Sequence, residues 1–140
     1  MLRYSSALMK IAFERRQVLT WLLRVHTVVT AAAGIVLFVW PATIPGTIGI
    51  ALAPQAYLLA YLLAGAELGM ATLSWLAAQR RDAAVREVAV WTALVFHGMT
   101  AAGEVIALAQ GTDRLLWLNV ALRLLVMSAL YLVRPARAEG

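Results

Sequence analysis

Glu67, His97 and Arg123 sit at nearly one depth in three separate apolar stretches of this chain. Charge inside a bilayer is expensive, about 2.5–3.5 kcal/mol per residue at a helix centre on insertion scales. Three ionisable side chains at one level are therefore expected to meet. With a rise of 1.5 Å per residue, each lies within about 3 Å of the centre of its segment. Glu104 and Asn119 lie roughly 8 and 7 Å away towards one end, while His26 and Arg24 lie roughly 5 and 8 Å towards the other. His97 and Glu104 are seven apart, and Asn119 and Arg123 four apart, so each pair shares a helix face. The pattern predicts a central layer of Glu67, His97 and Arg123 and an outer layer of Glu104 with Asn119. Arg24 and His26 are two apart and point to opposite sides. Arg24 is expected to snorkel to the headgroups, leaving His26 inward with Thr30 one turn on.

Two carboxyl groups, a histidine and an arginine in a low-dielectric pocket suit acid–base chemistry, because different surroundings can divide acid and base roles between like groups. Glu67 is expected as base or stabilising carboxylate, Glu104 as acid, His97 as proton relay and Arg123 as orienting charge. His26, Asn119, Trp91 and Trp117 are expected to line the ligand's space. A lipophilic substrate would arrive laterally from the bilayer, and isomerisation, epoxide opening or cyclisation would suit the pair. The plainer reading is an ion pair of Glu67 with Arg123 that fixes helix register, with His97 a satisfied core histidine. His26, Glu67, His97 and Glu104 are metal-ligand types, but the arginine opposes a cation and no HxxxH or ExxH spacing occurs. No metal and no cofactor is expected. Walker, GxGxxG and GxSxG signatures are absent.

The elements that must position these groups follow from hydropathy. The 140 residues are 63% hydrophobic and 14% charged, with mean hydropathy +0.80, whereas a soluble domain is about 25% charged. Four apolar segments, about 18–40, 55–78, 88–109 and 115–133, each approach the ~20 residues that cross a bilayer. The expected fold is all-α: a polytopic membrane protein with a four-transmembrane-helix bundle over 18–133, a basic interfacial segment at 1–17 and a tail at 134–140. Trp21, Trp40, Tyr57, Trp75, Trp91, Trp117 and Tyr131 fall towards segment ends, as an aromatic belt requires. The net charge of +5 sits at the ends of apolar runs, so it reads as membrane orientation and no nucleic-acid partner is expected. Arg3, Lys10, Arg15 and Arg16, then Arg80, Arg81 and Arg86, then Arg134 and Arg137 place both termini in the cytoplasm by the positive-inside rule. The expected location is the inner (plasma) membrane. Cysteine is absent, which excludes disulfides and thiol chemistry.

The second segment carries small residues around its glutamate: Ala60, Ala64, Glu67, Ala71, Ser74 and Ala78 on one side, Gly65 and Gly69 as a GxxxG on the other. Small residues let membrane helices approach closely, so this helix is expected to pack on two sides. The loop PATIPGTIGIALAP is uncharged and broken by Pro41, Pro45 and Pro54. It is expected to dip into the interface, where it could cap the bundle.

The stretches IPGTIGI, AYLLAYLLAGAELGMATLSW, VFHGMTAAGEVIALAQG and LWLNVALR resemble small four-helix bacterial membrane proteins, broadly DoxX-like in size and layout, over about residues 20–133. The resemblance implies a four-helix bundle and no particular reaction. It also implies association with membrane oxidoreductase complexes, which supports an accessory-subunit role. Three functional readings stand at this point. The chain binds and transforms a lipophilic small molecule, or is a small proton-coupled transporter working through Glu67, or is a structural subunit. The expected partners are the lipid bilayer, a lipophilic small molecule, and either a second copy of the chain or a larger membrane complex.

Overall fold

The computed structural model describes residues 2–135, with side chains from Phe13 onward. The expected tail therefore lies outside the described residues beyond Pro135, as do the first twelve side chains of the expected interfacial segment. Among the described residues there are five α-helices: α1 (Leu2–Val39), α2 (Thr43–Thr47), α3 (Tyr57–Gln79), α4 (Ala83–Ala109) and α5 (Leu116–Val133). A 3-10 turn, Pro54–Ala56, leads into α3. No strand occurs among the described residues. Four of the helices are long and apolar enough to cross a membrane, and the chain is a multi-pass, all-α membrane protein. The backbone of the basic N-terminal stretch runs into the first span without a break, as one helix of 38 residues.

Local chemistry sets the helix ends. Asp82 caps α4, its Oδ1 accepting from the Ala84 amide at 2.8 Å, which starts the helix several residues before its apolar run. Gly111 stops it with φ +96°. Its amide donates to the Leu108 carbonyl, and the Thr112 amide to that of Ala107. This is the left-handed helix ending that glycine adopts without a Cβ penalty. Asp113 Oδ1 then accepts from the Leu115 amide at 2.8 Å and opens α5.

The four spans form a square. α1 lies along α3 and α4 along α5, with narrower contacts of α1 to α5 and of α3 to α4. The remaining pairs, α1 with α4 and α3 with α5, face each other diagonally. Gly34 permits the close approach of α1 and α3: a Cβ there would lie 2.8 Å from Leu68 Cγ and 3.1 Å from the Ala64 carbonyl oxygen. On α3 the expected small-residue face is buried as a whole, from Ala60 to Ala78. The Gly65–Gly69 side differs from expectation. A Cβ at either glycine would meet nothing within 4 Å, so within one chain α3 packs on its alanine side only.

Two apolar layers sandwich a polar one. The larger, near the basic end, joins all four spans through Leu19, Leu23, Met70, Ala77, Ala89, Val90, Leu94 and Leu130. The smaller, at the opposite end, contains Leu37, Ala60 and Ala64, with Ile44 and Leu52 of the proline-rich loop against them. That loop caps α1 and α3. Its Gly49 (φ +75°) lies so close to Asp113 that a Cβ would stand 3.2 Å from the aspartate's Cβ and Oδ2. Between the layers lie buried His26, Thr30, Glu67, Ser74 and His97.

Candidate functional site

The polar layer is a hydrogen-bonded chain that draws on all four spans. Ser74 Oγ on α3 meets His26 Nδ1 on α1 at 2.8 Å. His26 Nε2 meets His97 Nε2 on α4 at 2.8 Å, bridging one diagonal of the square, with the rings edge to face at 86°. His97 Nδ1 meets Arg123 Nη1 on α5 at 3.1 Å. Arg123 Nε donates to Glu104 Oε1 at 2.9 Å, forming an ion pair, and Asn119 Nδ2 donates to the same oxygen at 2.6 Å. Phe96 stands edge to face against His97 at 5.4 Å between ring centroids.

The chain has one polarity. A guanidinium has donors and no acceptor, so His97 Nδ1 must accept. In a neutral ring its Nε2 then carries the proton and donates to His26 Nε2. His26 consequently carries its proton on Nδ1 and donates to Ser74 Oγ. Two chemistries drop out. Ser74 has no base, because the nitrogen beside it is a donor, so it is not an activated nucleophile. A cation between the two Nε2 atoms would force a proton onto His97 Nδ1, which faces Arg123. Among the described residues no group of three His, Cys, Asp or Glu side chains converges as a metal site.

Two carboxyl features stand outside this satisfied chain. Glu104 Oε2 is buried with no hydrogen-bond partner. Glu67 is only 6% exposed and makes no hydrogen bond or ion pair among the described residues. Arg123 stands on α5, across the other diagonal of the square from α3. Arg123 Nη2 also makes no hydrogen bond among the described residues. The centre of the bundle therefore holds an uncommitted donor and an uncommitted carboxyl group.

The structure thus brings His26, His97, Glu104, Asn119 and Arg123 into one network and sets Glu67 beside it. It corrects the expected partnership of Glu67 with Arg123: the arginine's ion pair is with Glu104. Glu104 shares the face of His97 one layer out, and Arg123 on α5, packed against α4, bonds to both. Trp91 and Trp117 do not join. Both are exposed, 41% and 54%, and the Trp91 indole reaches Glu87 Oε1 at 3.4 Å. Arg24 points outward over the Trp21 ring at 5.4 Å.

Sequence reasoning missed two residues. Ser74 reads in the sequence only as a small residue, although its place one heptad from Glu67 puts a hydroxyl on the site's face. Arg86 precedes the expected 88–109 segment and reads there only as an orienting charge, yet it is 5% exposed. Its Nε donates to the Arg80 carbonyl at 2.8 Å, Nη2 to Thr20 Oγ1 at 2.9 Å and Nη1 to the Arg16 carbonyl at 3.3 Å. A longer contact reaches the Ala78 carbonyl at 3.5 Å. A buried cation at the carboxyl end of α3 complements that helix's dipole and staples α1, α3 and α4 together. The signal was its register, since Arg86, Ala89, Val90, Ala93, Leu94 and His97 form one buried helical stripe.

The site and fold define a multi-pass helical membrane protein with an internal acid–base cluster. In comparisons with known proteins, no family model, curated protein or solved structure matches the chain.

Proposed function

We propose that this chain is a plasma-membrane protein, with both termini in the cytoplasm, that binds a lipophilic carbonyl compound at the bundle centre and moves a proton on it. The observation that carries the reading is Glu67: a buried carboxyl group with no hydrogen-bond or ion-pair partner among the described residues, beside a network otherwise almost fully satisfied. Buried polar groups are normally hydrogen-bonded, and the exceptions call for a role. Arg123 Nη2 supplies a fixed donor for a carbonyl oxygen, where it would stabilise the negative charge of an enolate. Glu67 takes the proton from the adjacent carbon and returns it to another position, which is an isomerisation. Glu104, held by Arg123 and Asn119, serves as the counter-charge. His97 and His26 hold the guanidinium's other arm in place.

The test begins with mass spectrometry of lipophilic molecules that co-purify from the native membrane. A stoichiometric carbonyl compound is expected, lost in Arg123→Met and retained but unconverted in Glu67→Gln. Unchanged turnover in Glu67→Gln overturns the assignment.

A structural reading is favoured by one observation, that every bond from Ser74 to Asn119 joins two different helices. It leaves Glu67 without a reason. Co-purification of a set of membrane subunits and no small molecule would select it, in line with the DoxX-like resemblance. Proton-coupled transport uses the same Glu67, and proton release by solubilised protein on adding substrate would distinguish it.

A further inference from the structure

A polar groove lies at the basic end of the bundle, away from the central cluster. It is an open groove of about 610 Å³ lined by Arg15 of α1, Glu87 and Trp91 of α4, Tyr131 and Leu132 of α5, and Arg134 with Pro135 just beyond. We infer that this groove binds an anionic phospholipid, with the phosphate between Arg15 and Arg134 and the acyl chains running down past Trp91 and Leu132.

Several features support it. Arg134 is folded back over the groove: its guanidinium stands 3.7 Å from the centroid of the Tyr131 ring, and Nη1 donates to the Tyr131 carbonyl at 3.5 Å. Its backbone leaves the helix at ψ 151°, the extended conformation imposed on a residue before proline, here Pro135. The guanidinium is thus held in place, which lowers the entropy lost on binding. Guanidinium forks suit phosphate oxygens, and neither Arg15 nor Arg134 pairs with a carboxylate among the described residues. Trp91 and Tyr131 give the walls the amphipathic rings that settle at headgroup level. Leu132, 71% exposed, continues the surface towards the hydrocarbon. The one acidic wall residue, Glu87, is engaged by the Trp91 indole. Among the described lining residues two arginines and one glutamate leave a net positive charge, which favours a lipid of net charge −1 over a zwitterionic one.

The experiment is native mass spectrometry of the full chain from mixed micelles with equimolar phosphatidylglycerol and phosphatidylcholine. One phosphatidylglycerol per chain should be retained in preference to phosphatidylcholine. A single arginine near an anionic surface contributes about fivefold, and Arg15→Gln with Arg134→Gln should reduce the preference to near unity. Arg80→Gln with Arg81→Gln, which removes equal charge from the same end outside the groove, should leave it intact. Millimolar inorganic phosphate should not displace the lipid, since the acyl chains contribute to binding. Equal retention of the two lipids overturns the proposal, as does an equal loss of preference in the two double variants. Displacement by phosphate overturns it in favour of a free-anion site.

Discussion

Replacing Arg123 and Glu104 by methionine, singly and together, tests whether they form one unit. Removing Arg123 takes away the bond to His97 Nδ1 and leaves Glu104 with a buried carboxylate held only by Asn119. The lost bond has a charged donor and costs about 1.5 kcal/mol. Each partner is 12% exposed, so the orphaned carboxylate is placed low in its range, at about 1.5 kcal/mol. Arg123→Met is therefore expected to cost about 3 kcal/mol. Glu104→Met removes the Asn119 bond and orphans the guanidinium, for a similar sum. The double variant loses the bonds to His97 and Asn119 but orphans no charge, so about 3 kcal/mol is expected in place of an additive 6, a coupling of about 3. Ordinary hydrogen bonds between membrane helices average only about 0.6 kcal/mol, so a coupling of this size identifies an ion pair. Reversible unfolding in mixed micelles with increasing denaturing detergent gives the four stabilities. Additive losses would refute the reasoning, as would a double variant less stable than both singles by the full sum.

Three other expectations follow from named contacts. Gly34→Ala should destabilise by about 1–3 kcal/mol, because its Cβ would press on Leu68 and the Ala64 carbonyl. Gly103→Ala, in open space, should not, and thermal unfolding in detergent compares the two. Arg86→Met should cost about 2–4 kcal/mol, since at least two short bonds to a charged donor are lost, and Arg86→Lys should restore only part of it because an ammonium cannot span three acceptors in a plane. Nitrogen NMR of labelled histidines should show the proton of His97 on Nε2 and that of His26 on Nδ1. A proton on His26 Nε2 would contradict the hydrogen-bond polarity.

Length and hydropathy made the four spans legible, since the physics of crossing a bilayer leaves little choice. The start of α4 was not: QRRDAAVRE reads as a charged loop by composition, while the Asp82 cap begins the helix within it. Helical angles correctly separated His26 from Arg24 and put Glu104 on the face of His97. Residue counting located Cα depth but not where a head group ends. The two histidines, offset in depth by their positions in the sequence, meet through side chains that lean across the diagonal. Arg123 reaches along its neighbour to Glu104 for the same reason. The choice between Glu67 and Glu104 as the arginine's partner depends on which helices are adjacent, and that is a property of the assembled square.

The ion pair lies wholly within the hairpin of α4 and α5. Membrane chains commonly enter the bilayer as hairpins before those hairpins associate. Here the second hairpin can cross with its two charges already neutralising each other and with Asn119 on the same oxygen, so it avoids most of the cost of two separate intramembrane charges. The first hairpin carries Glu67, His26 and Ser74, and its nearest cation, Arg24, is turned outward over Trp21 and pairs with none of them. Two halves of the chain, divided between Gln79 and Asp82 and produced separately, should therefore insert unequally well. The His26–His97 bond forms only when they dock, so the completed cluster reports that assembly has occurred.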